Sequence, residues 1–60
     1  MLLNIISYNE NLYIWTLEYL SNFASAEAII KAGYKVVKGA NSFSVYSEYT
    51  DDFLATFENN

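Results

Sequence analysis

The chain predicts an α+β fold: a small two-layer sandwich, an antiparallel sheet of about four strands in ββαββ order with one packed helix and a short C-terminal helix. Three observations point there. Short segments rich in Leu, Ile, Val and Tyr alternate with a period of two. Ser25–Tyr34 carries both a start and a stop signal for a helix. Asn- and Gly-bearing turns separate the apolar segments.

Leu2 to Tyr8 is dominated by Leu and Ile and reads as a strand. Tyr8-Asn9-Glu10-Asn11 follows as a turn, since the Asn side chain tolerates left-handed backbone angles. Leu12 to Leu20 alternates again, with Tyr13, Trp15, Leu17 and Tyr19 on one face and Leu12, Ile14, Thr16, Glu18 and Leu20 on the other. Its β-branched and aromatic content favours a strand, although Leu-Glu-Tyr-Leu also tolerates a helix. Ser25–Tyr34 is the clearest element. Ser25 suits an N-cap, Glu27 sits where the helix dipole favours negative charge, and Gly33 suits the left-handed position that ends a helix. Glu27 and Lys31 are spaced as an i,i+4 pair, Ile29 and Ile30 are the expected core anchors, and Phe23 helps at the entry.

Tyr34–Lys38 leaves that helix as a strand, and Gly39-Ala40-Asn41-Ser42 is a turn with Gly39 available for positive φ. Phe43–Tyr49 alternates once more, with Phe43, Val45 and Tyr49 on one side. Thr50-Asp51-Asp52 resembles a helix opening, and Phe53 and Phe57 lie four apart with Leu54 between them, which predicts a short closing helix.

Sixty residues form a single domain, 1–60, close to the lower size limit. A chain this short buries roughly 60% of its unfolded surface. With neither Cys nor His, disulfides are excluded and a zinc site is not expected. Dense aromatic packing or self-association must then supply the stability. No stretch reaches the roughly 18 apolar residues of a membrane span, and nothing reads as an export signal. The expectation is a cytoplasmic protein.

The same composition argues against catalysis. General bases and soft nucleophiles of the His and Cys kind are missing. Asp51 and Asp52 are adjacent, so on a helix they diverge by roughly 100° and cannot share a proton. No EF-hand, P-loop or dinucleotide spacing is present, so neither a metal nor a cofactor is expected. The net charge of −4, with no Arg, disfavours direct nucleic-acid binding even though Lys31, Lys35 and Lys38 cluster. Those lysines are expected to face solvent and discourage edge-to-edge sheet pairing.

The excess of aromatic residues is the remaining signal. Tyr and Trp suit interfaces because they bury much area and keep a polar tip. The expected function is a small acidic protein-interaction module, an inhibitor or regulator that binds and occludes a larger protein. Its candidate contact residues are Tyr13, Trp15, Tyr19, Tyr46, Glu48, Asp51 and Asp52. A tiny, acidic, Cys-free, Asn- and Tyr-rich chain also has the compositional style of phage proteins for host takeover or counter-defence, which act in the host cytoplasm. Two alternatives stand beside this reading. One is a nucleic-acid mimic, whose carboxylates occupy a basic groove. The other is a self-assembling protein, with a homodimer as its simplest form.

Overall fold

In the computed structural model, which describes residues 2–59, the elements are β1 (Ile5–Tyr8), α1 (Ile14–Ser21), α2 (Ala26–Lys31), β2 (Lys35–Lys38), β3 (Ser42–Tyr46) and β4 (Phe53–Glu58). The four strands form one antiparallel sheet in the order β1-β4-β3-β2. Both helices lie on one face. The expected α+β class and four-stranded antiparallel sheet are therefore present, but two segments exchange roles.

Leu12–Leu20, read as a strand, contributes α1 instead. The helical period wins because Leu17, Leu20 and Ser21 converge on one arc and reach the core together. The closing segment, read as a helix, is strand β4. Phe53-Leu54-Ala55-Thr56-Phe57 satisfies a period of two as well as an i,i+4 pair. A central position between β1 and β3 satisfies its backbone groups on both edges, which an isolated two-turn helix cannot match. The order is thus βααβββ.

The core lies between the helices and the inner sheet face. Phe43 and Phe57 stand in register on β3 and β4, with ring centroids 5.6 Å apart, and Val45 faces Ala55 one step along. Leu3, Leu17, Leu20 and Ile29 close the space above them. Ile30, expected as a second anchor, points outward; α2 reaches the core through Ile29 and Ala26. Among the described residues, Ser21 is the buried polar side chain, and its hydroxyl donates to the Glu18 carbonyl at 3.0 Å. The Ser21 carbonyl accepts from Leu2 and Leu3 N–H, which ties the segment before β1 to the end of α1.

The ends of α2 follow the sequence. Ser25 Oγ accepts from Ala28 N–H at 3.3 Å, and Gly33 takes φ +111°. Gly33 N–H then bonds the Ile30 carbonyl and Tyr34 N–H the Ile29 carbonyl, the paired closure that a left-handed residue permits. Glu27 pairs with Lys38 of β2, not with Lys31, so it fastens the helix to the sheet. Gly39 does not take a positive φ; the β2–β3 turn closes by Gly39 N–H donating to the Ser42 carbonyl at 2.7 Å.

Asn9 works through its side chain rather than through left-handed backbone. Its Oδ1 accepts from Asn11 N–H at 2.9 Å and its Nδ2 donates to the Phe53 carbonyl at 3.0 Å. One residue thereby shapes the turn into α1 and pins it to the start of β4.

Candidate functional site

At 100° per residue, α1 has two arcs of opposite outlook. Leu17, Leu20 and Ser21 point inward, whereas Ile14, Trp15, Glu18 and Tyr19 occupy the other side. A surface helix normally turns polar residues outward. Here the outward arc is as apolar as the inward one, with Ile14 and Trp15 each 66% exposed and Glu18 as its single charge.

Tyr13 extends this arc. It precedes the helix in extended conformation (φ −65°, ψ 140°), so its ring is free of the helical spacing. It lies nearly parallel to Trp15, with centroids 5.8 Å apart and planes 14° from parallel. Tyr19, one turn further, meets the Phe23 edge at 5.1 Å. Taking roughly 150–250 Å² per aromatic side chain, the exposed parts of Tyr13, Trp15 and Tyr19 with Ile14 total on the order of 400 Å². Patches of that size on small proteins are often functional.

Of the other candidate residues, Tyr46, Asp51 and Asp52 do not join this surface. Tyr46 alternates with the buried Phe43 and Val45, so it lies on the sheet face away from the helices, edge-on to Phe53 at 5.8 Å. The irregular register between Val45 and Tyr46 brings Phe53 opposite it. That outer face is lined at its centre by small hydroxyls, and Ser44 and Thr56 share a 3.0 Å hydrogen bond there. No element of the described residues covers it.

Asp51 and Asp52 belong to the β3–β4 loop, not to a helix opening. Ser47 N–H donates to the Asp52 carbonyl at 2.9 Å and Asp51 N–H to the Ser47 carbonyl at 3.0 Å. This closure places Asp51 at φ +58°, a region that Asp enters more readily than most residues. The Asp51 carboxylate lies 3.4 Å from Lys35 Nζ, and the Asp52 carboxylate accepts from the Thr50 hydroxyl at 3.0 Å. Both acids serve the loop.

Glu48, from the same loop, does meet one of the aromatics. It lines a cleft of about 320 Å³ together with Tyr19 of α1, Gly33 and Tyr34 at the end of α2, and Tyr49. Glu48 Oε2 leans over Gly33, 2.6 Å from where a Cβ would stand. Burial, and then the neighbouring Tyr19, push the Tyr34 phenol above its ordinary value. Sequence reading missed Ile14, Tyr34 and Tyr49; the first needed the helical period of α1, the others the β3–β4 loop folded back toward α2.

Among the described residues, no three acidic side chains converge as a metal site, and no helix is long and apolar enough to cross a membrane. The geometry defines a small α+β protein with one aromatic helix face and one tyrosine-lined cleft. Comparison with protein-family models, with curated proteins and with solved structures gives no match to this chain.

Proposed function

We propose that this protein is an interaction module whose α1 surface docks on another protein, acting as an inhibitor or regulator by occluding the partner's site. One observation carries the reading: α1 is apolar on both arcs while only one arc is covered. Holding Tyr13, Ile14 and Trp15 in water has no benefit for folding, whereas burying them against a partner gains about 25 cal/mol per Å². The stacked Tyr13–Trp15 pair supports it further, because paired rings present a large surface with few rotamers to fix.

A homodimer through this patch alone is a weaker reading. A standard interface covers roughly 800 Å² on each side, about twice what the α1 arc offers. A two-fold contact centred on α1 also brings Glu18 toward its own copy with no lysine on the arc. Nucleic-acid mimicry is weaker again, because Lys38 and Lys35 already engage Glu27 and Asp51.

The test is capture of partners by the full chain compared with Tyr13→Ser and Trp15→Ser. The expected result is a discrete partner retained by the wild-type protein and lost from both variants while each stays folded. Equal capture by all three proteins removes the α1 face from the function.

A further inference from the structure

We propose that the cleft between α1, the end of α2 and the β3–β4 loop is a cation-accepting site, filled by a lysine or arginine side chain of the bound partner. The source of the cation rests on the protein-binding reading above; the chemistry of the cleft stands on its own geometry.

Three features of the cleft carry the same sign. Tyr19, Tyr34 and Tyr49 line it, and the face of an aromatic ring attracts cations through its quadrupole. The C-terminal end of α2 at Gly33 presents the negative end of a helix dipole. The Glu48 carboxylate leans over that same end, where the dipole repels it. Among the described residues, the lysine ion pairs go to Asp51 and Glu27, and neither reaches Glu48. A positive group in the cleft satisfies the rings, the carboxylate and the helix end together.

Size and donor type narrow the cation. One carboxylate is far short of the six to eight oxygens a calcium ion takes, roughly by the usual coordination count. Aromatic walls instead favour the alkylammonium and guanidinium classes. A volume of about 320 Å³ suits one side-chain head group and its stem. The net charge of −4 steers basic surfaces toward the protein before contact.

The experiment is an NMR titration of the full chain with Nα-acetyl-lysine methylamide, Nα-acetyl-arginine methylamide and choline, each against NaCl at matched ionic strength. The expected result is saturable shifts of the Tyr19 and Tyr34 rings and the Gly33 amide with a lysine or arginine probe. Glu48→Gln, an exposed and isosteric change, should raise the midpoint by roughly tenfold, the loss of one charge-assisted contact. Its thermal midpoint should not fall, because the helix end repels the charge that is removed, and this separates lost binding from lost fold. Shifts reproduced by NaCl, or indifferent to Glu48→Gln, overturn the site. Saturation by choline with both side-chain probes silent overturns the assignment to a partner side chain. Silent probes with α1-dependent capture intact remove the cleft alone; loss of both removes the interaction reading as well.

Discussion

Truncating Trp15 to alanine distinguishes a contact ring from a core ring, because the two cases carry costs that differ severalfold. Trp15 is 66% exposed, so folding withdraws only about a third of it from water. For an aromatic side chain of roughly 150–250 Å², that is about 70 Å². At about 25 cal/mol per Å² the loss stays under ~2 kcal/mol, and the true value is smaller because the unfolded chain already buries part of that area. About 1 kcal/mol is the expected effect of Trp15→Ala. Phe57 is the opposite case: it is fully buried and sits 5.6 Å from Phe43 between the two layers. Phe57→Ala loses both transfer energy and packing, about 3–5 kcal/mol. At about 0.05–0.15 kcal/mol per residue the whole domain holds only ~3–9 kcal/mol, so Phe57→Ala should unfold it or nearly so. Urea titration followed by far-UV circular dichroism measures both variants without relying on the single tryptophan. A Trp15→Ala loss as large as that of Phe57→Ala would refute the placement of the indole outside the core.

Asn9→Ala should cost about 1–3 kcal/mol, since it leaves the turn N–H and the Phe53 carbonyl without their partner; an unchanged urea midpoint contradicts the pinning role. Gly33→Ala should cost about 1–2 kcal/mol, because φ +111° is strained for any L side chain and the new methyl displaces the Glu48 carboxylate. A neutral result in the same assay would mean that α2 ends by another route. Tyr34 supplies a pH prediction. Its raised folded value means that the native state holds the proton where the unfolded chain releases it, so this contribution is intact below pH 10.0 and lost as pH rises through the folded value. Tyr34→Phe should flatten the part of the alkaline decline in Tm that sets in as pH rises through 10.0; an identical decline in the two proteins contradicts the assignment.

The parts of the fold that were legible in the sequence are those fixed by local chemistry. Ser25 and Gly33 mark α2 because a capping hydroxyl and a left-handed glycine act within a few residues of the chain. Phe43 and Val45 announce β3 by strict alternation. Leu12–Leu20 was ambiguous for a stated reason: large apolar groups occupy almost every position, so both periods find a greasy side. The choice was made by tertiary contacts, where Leu17 and Leu20 fill the space above Phe57. The same holds for Phe53–Phe57, whose central place depends on β1 and β3 offering two open edges. Among the candidate contacts, Tyr13, Trp15 and Tyr19 share the α1 flank although the strand that grouped them does not exist. Tyr46 parts from them because the sheet comes between. Glu48 joins Tyr19 only through the loop, a neighbourhood no spacing rule could give.

The charge distribution follows the same division. Lys31, Lys35 and Lys38 all lie on α2 and β2, and two of them are held by acids of their own chain. The edge strand β2 is thereby protected against pairing with another sheet, since buried lysine ammonium groups are costly at a strand edge. The turn before α1 and α1 itself carry two charges, Glu10 and Glu18, both acidic. Such a surface favours a partner that is apolar at its centre and basic at its rim.

Site-specific photo-crosslinking in living cells probes the docking face directly, with a benzophenone amino acid placed at position 15 in one protein and at Val37 on the outer sheet face in another. Val37 is 53% exposed, so both groups are open to solvent before any encounter. The predicted outcome is one discrete heavier adduct from position 15 and none of that mass from position 37. Adducts of the same mass from both positions, or from position 37 alone, would contradict a helix-centred contact.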